Sequence, residues 1–178
     1  MAYILSAQRE RGGPETQRLW EEYERYLRLH RSTFPPGAFA LATSAWYYDS
    51  ADHRAPHDAW LEWARLEEPS SGERSEARSL SMRVRLIGAY HDNYLEFFYP
   101  LTYAYTFTHD IAESGHGDWR YDEFRISPQG RLIHEIEWAG AAGAESRWII
   151  EASDVEFSVI PRSEPISVLP SRERPPRR

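Results

Sequence analysis

The stretch Ser127-Pro128-Gln129-Gly130 constrains this chain more than any other. Proline at the second turn position and glycine at the fourth fit a type I turn closed by a glycine bulge. The flanking residues alternate between apolar and polar, so a hairpin through this turn has one workable register. That register sets Ser127 opposite Arg131, Phe124 opposite His134, Asp122 opposite Ile136 and Arg120 opposite Trp138. The other face pairs Arg125 with Ile133, Glu123 with Glu135 and Tyr121 with Glu137. A second hairpin, turning through the Gly/Ala-rich 140–144 stretch, places Ile136 against Trp148, His134 against Ile150 and Glu137 against Arg147. Both registers gather Phe124, Ile126, Leu132, Ile136, Trp138, Trp148 and Ile150 on one side. A one-residue slip would turn all of them into water.

The same period of two runs through Leu80, Met82, Val84 and Leu86, through Tyr103, Tyr105 and Phe107, and through Val155, Phe157 and Val159. Only the beginning of the chain differs. After Gly12-Gly13-Pro14, residues Leu19, Trp20, Tyr23, Tyr26, Leu27 and His30 recur at helical spacing. Glu21 with Arg25 and Glu24 with Arg28 form i,i+4 pairs on the wet side, and Pro35-Pro36-Gly37 ends the element. Residues 38–49 suit either a short helix or a strand. The expected fold is therefore α+β, mainly β: an N-terminal amphipathic helix followed by an antiparallel β-meander of six to eight strands. The sheet is strongly curved, or a half-barrel, with the helix on one face or an open end. No internal repeat is visible in the sequence.

Residues 1–160 make one domain. Residues 161–178 read as a flexible Pro/Arg-rich tail, with Arg162, Arg172, Arg174, Arg177 and Arg178 among five prolines. No run approaches a membrane span and no secretory leader is evident, so a cytoplasmic protein is expected. All 21 basic residues are Arg, and there is no Cys. Schiff-base lysines, P-loop lysines, cysteine nucleophiles and thiolate metal sites are thereby excluded. A net charge of -7 disfavours nucleic acid as a partner. His53 and His57 have metal-pair spacing, but Pro56 stands between them and no third ligand follows, so no metal and no cofactor are expected. No catalytic motif is present.

Two candidate surfaces remain. Glu123 and Glu135 face each other across the hairpin, a like-charge pair that weakens it. With Tyr121, Glu137 and Glu151 they make an acidic face, expected to dock a protein partner such as a basic toxin. Asp122 and His134 lie on the apolar side, where a bare charge is prohibitively costly and an Asp–His pair satisfies both groups. The alternative is a cup that binds a small molecule or moves a proton, with Arg120, Asp122 and His134 as its floor and Trp138 and Trp148 as walls.

The strings Pro56-His57-Asp58-Ala59-Trp60-Leu61-Glu62, Tyr94-Leu95-Glu96-Phe97-Phe98-Tyr99, Tyr121-Asp122-Glu123-Phe124 and His134-Glu135-Ile136-Glu137-Trp138 carry a further signal. With Trp148-Ile149-Ile150-Glu151-Ala152 they resemble small β-rich bacterial proteins of uncharacterised families. The resemblance spans about residues 50–160. Some proteins of that look are encoded beside secreted toxins and act as immunity proteins, so it implies a non-enzymatic, antitoxin-like inhibitor. It carries no catalytic motif, and no functional residue transfers from it.

Overall fold

Gly12 adopts φ 68°, a conformation natural to glycine, and turns the chain into helix α1, Gly13–Leu29, with proline in the first turn. The computed structural model describes residues 2–6, 12–109, 115–140 and 145–162. Along α1, Leu19, Tyr23 and Leu27 are buried. On its wet side Arg18 bridges Glu15 at 2.7 Å and Glu22 at 3.0 Å, and Arg28 reaches Glu24 at 3.4 Å. The ambiguous 38–49 stretch is helical: α2 spans Pro36–Ala42, and one 3-10 turn spans Ala45–Tyr48. Asp154 explains the first choice, because its carboxylate accepts the N–H groups of Gly37 at 3.1 Å and Ala38 at 3.0 Å. A Cβ on Gly37 would lie 2.0 Å from the Val155 carbonyl oxygen, so this close seating needs glycine.

Eight strands follow: β1 Trp60–Glu67, β2 Ser81–Ile87, β3 Asn93–Tyr99, β4 Thr102–Thr108, β5 Asp118–Ile126, β6 Leu132–Ala139, β7 Glu145–Ala152 and β8 Glu156–Pro161. They form one antiparallel sheet in the order β4-β7-β6-β5-β1-β2-β3-β8. Two three-stranded meanders, β1–β2–β3 and β5–β6–β7, are each completed by a strand from beyond the other. The sheet curls so far that Tyr99 of β3 touches His134 of β6 and Phe97 stacks on Trp119. Met82, Val84, Leu86, Leu95, Phe97, Phe124, Ile136, Trp138, Trp148 and Ile150 fill the concave side. Pro161 is the last residue of β8, and the Arg162 N–H bonds to the Asp92 carbonyl at 2.8 Å. The rest of the expected tail, 163–178, lies outside the described residues.

The turn at Ser127 closes as its sequence requires: the Gly130 N–H reaches the Ser127 carbonyl at 2.9 Å, with Gly130 at φ 76°. Phe124 opposes His134, Glu123 opposes Glu135, and Ile136 opposes Trp148. One pairing differs. A bulge at Arg120 sets Trp119, not Arg120, opposite Trp138. The extra residue sends Trp119 inward and leaves Arg120 exposed, its guanidinium 5.1 Å from the Tyr121 ring.

The β5–β1 junction is a single pairing, Asp118 with Trp60. Beyond it β1 diverges and the outer edge of β5 loses its strand neighbour. Tyrosines of α1 take over the ladder. The Tyr23 hydroxyl accepts the Phe124 N–H at 3.0 Å and donates to the Phe124 carbonyl at 3.1 Å, and the Tyr26 hydroxyl accepts the Ile126 N–H at 2.8 Å. A helix thus closes a sheet edge that would otherwise hold buried, unpaired backbone groups.

Candidate functional site

Asp122 and His134 do meet, inside a closed network. Asp122 accepts from Tyr47 at 2.8 Å and from Trp119 Nε1 at 3.0 Å, and lies 3.0 Å from His134 Nε2. The Tyr99 hydroxyl stands 2.7 Å from His134 Nδ1. One assignment satisfies all of them: Nε2–H donates to the carboxylate and Nδ1 accepts from Tyr99. Burial and the Asp122 charge push both phenols, Tyr47 and Tyr99, well above their ordinary range, so neither releases its proton. The free space beside Asp122 is about 20 Å³, room for one water. The cup expected from the sequence is therefore filled. His134, Trp138 and Trp148 are core, Asp122 is 4% exposed, and Arg120 points to solvent instead of forming a floor.

The acidic face is corrected in a different way. Glu123 and Glu135 stand opposite each other as the register requires, yet they are 0% and 2% exposed. Residues 3–6 lie over the first of them and its neighbour Glu137, and arginines hold the second. Glu123 accepts the N–H groups of Tyr3 and Ile4, both at 2.8 Å, and Glu137 accepts that of Ser6 at 2.7 Å. Arg125 lies 3.0 Å from Glu123 and pairs with Glu135, which also pairs with Arg147. Burial raises the Glu123 carboxyl above its usual range, with the Tyr3 and Ile4 amides and Arg125 pulling it back. Glu151 is half-buried between Arg131 at 3.5 Å and Ser127 at 3.3 Å, and Tyr121 is half-buried. The carboxylates expected to greet a partner are mostly occupied within the fold.

An open aromatic patch lies at the end of the molecule where β1 and β5 begin. Trp60 is 47% exposed and Tyr90 48%. Polar contacts hold both rings. Trp60 Nε1 donates to Asp118 at 2.8 Å, and its ring lies 4.5 Å from that of His91. Tyr90 stacks on His53 at 3.8 Å, and His53 is fixed by Asp92 at 2.6 Å. Among the described residues, the two non-glycine positions with positive φ, Asp58 at 61° and His91 at 58°, flank this patch. Such backbone strain gathers at binding sites. Asp52, Asp58, Asp92 and Asp118 give the rim its charge. The Arg54 side chain beside Asp52 holds that carboxyl down at about 2. A groove of about 620 Å³ runs from Trp60 and Leu61 past His116 and Asp118 to Gly140. The sequence hid this patch because its members come from four separate connections and strand starts. His53, which the sequence offers only as half of a rejected metal pair, belongs to it.

Among the described residues, no group of three His, Cys, Asp or Glu side chains is placed to hold a metal ion, and no helix is long and apolar enough to cross a membrane. No protein-family model, curated protein or solved structure matches the chain.

Proposed function

We propose that this chain is a non-enzymatic protein-binding protein, an immunity or antitoxin-like inhibitor of the bacterial cytoplasm, whose basic partner docks on the acidic aromatic end. The observation that carries this reading is the pair Trp60 and Tyr90: large rings, half exposed, immobilised by Asp118 and by the His53–Asp92 pair. Rigid aromatic anchors lose little entropy on binding and dominate interface energies. Aspartates around them speed encounter with a basic surface and repel acidic competitors.

The test uses the tagged full chain as bait in a lysate of its source organism at low and at physiological salt. A basic protein is expected on the wild type, diminished by salt, and absent from a Trp60→Ala/Asp118→Asn variant. Retention of nothing at low salt, or equal retention by that variant, sinks the reading.

A further inference from the structure

Of the eight strands, β4 alone carries no charged residue, and it stands at an edge of the sheet with β7 on its one paired side. Edge strands are ordinarily guarded against other chains by charges, prolines or bulges. The opposite edge is guarded: β8 begins with Glu156 and ends in Pro161. Strand β4 reads Thr-Tyr-Ala-Tyr-Thr-Phe-Thr, β-branched and aromatic apart from one alanine, and its bulge at Tyr103 leaves residues 104–108 regular. Tyr103, Ala104, Tyr105 and Thr106 are exposed in succession, so both faces of the strand reach solvent. Among the described residues no strand pairs with its outer edge. The strand is nonetheless held at both ends. The Thr102 N–H donates to the Leu80 carbonyl at 2.7 Å. Thr108 Oγ1 donates to the Arg147 carbonyl at 3.0 Å and accepts the Arg147 N–H at 3.1 Å.

We infer that this edge is a self-association site, at which β4 of a second copy of the chain pairs antiparallel across a two-fold axis at Thr106. The occupant is a strand, because a row of backbone N–H and C=O groups is matched by another such row. It is β4 itself, because in this register the strand is its own complement. Tyr105 falls opposite the second copy's Phe107, on the face where Phe107 lies 5.4 Å from Tyr105 and stacks on Trp148 at 4.1 Å. Aromatic pairs directly opposite each other are among the stabilising cross-strand contacts. On the other face Ala104 falls opposite Thr108 and Thr106 opposite its own counterpart, all small side chains. Charge agrees with the same register. On β7, Glu151 lies beside Ala104 and Arg147 beside Thr108, so each row across the axis runs from a carboxylate to a guanidinium. Both keep their partners within the chain, Arg131 and Glu135, yet no like charges are aligned despite the net charge of -7. The edge does not depend on what binds at the Trp60 end.

Sedimentation velocity of the full chain from about 1 μM to about 1 mM tests this, a span suited to a small interface. A monomer–dimer equilibrium is expected, weakened at least about tenfold by Thr106→Lys, which sets two ammonium groups against each other at the axis. Ser158→Lys on β8 and Trp60→Ala should leave it unchanged. Cross-linking reads the register, since the chain has no cysteine of its own. Opposed residues of an antiparallel pair have Cα atoms about 4.5–5.5 Å apart, within reach of a disulfide. Thr106→Cys should therefore oxidise to a covalent dimer, whereas Ala104→Cys, which faces Thr108 instead of itself, should not. Thr106 and Ala104 are exposed, so none of these changes disturbs the core. A chain that stays monomeric at every concentration overturns the inference. So do a dimer that Thr106→Lys leaves intact, a dimer that Ser158→Lys dissolves, in which two unlike edges meet, and equal cross-linking at both positions.

Discussion

Asp122 has Tyr47, Trp119 and His134 around it, so its removal strands three buried polar groups at once. Asp122→Ala is expected to cost about 3 kcal/mol or more, and Tyr47→Phe, which orphans no charge, about 1 kcal/mol. Urea unfolding of the two variants measures the difference. Glu135 gives a sharper contrast with its sequence reading. A solvated carboxylate facing Glu123 would be better replaced by glutamine, but this one is buried between Arg125 and Arg147. Glu135→Gln should destabilise by about 1–3 kcal/mol, read from the same unfolding curves. His116 reports on pH. Burial, and then His109, lower it below 6.5, so the folded chain favours the neutral ring. Its contribution to stability is whole above 6.5 and shrinks as pH falls through that value toward the folded one. Melting temperatures between pH 8 and pH 5 should fall less in His116→Gln than in the wild type.

At the level of elements, α1 serves β5 as a strand would. Tyr23→Phe keeps the ring and loses the hydroxyl that both accepts from and donates to Phe124. The expected cost is about 1–3 kcal/mol for the two orphaned backbone groups, with faster amide exchange at Phe124 as the local readout. Strand existence and the β5–β6–β7 registers were legible because period-two patterning and a Pro-Gly turn fix them locally. The bulge was not legible, since Trp119 and Arg120 alternate as any strand would and only the surrounding core selects which enters it. Nor was the cover on Glu123. It comes from Tyr3 and Ile4, remote in sequence, and nothing in the hairpin itself announces them. The twofold likeness of the sheet, in which exchanging β1–β4 for β5–β8 gives the same order read from its other end, escaped for a chemical reason. Equivalent outward positions carry opposite charges: Glu62 and Arg120, Arg65 and Glu123, Arg85 and Glu137, Glu96 and Arg147. Comparing residue identities finds nothing there, although the hydrophobic pattern repeats.

Across the whole molecule, the two halves are bound into one cooperative body because each lacks its fourth strand without the other. Tryptophan fluorescence and far-UV circular dichroism should therefore give coincident unfolding curves, and separate midpoints for the two halves would contradict the reciprocal pairing. Pairings this distant in sequence also slow folding, since long loops must close before they are rewarded.

The short link from β3 to β4 matters most while the chain is being made. Only Pro100 and Leu101 separate those strands, so β4 is synthesised immediately after β3, yet its neighbour β7 begins at Glu145. At ordinary elongation rates β4 waits on the order of seconds with its backbone unpaired and Tyr103 and Tyr105 uncovered. Strand β8 has no such wait, because β3 is already in place when it emerges. The nascent chain is thus most exposed to aggregation and to chaperones in the interval between its fourth and seventh strands.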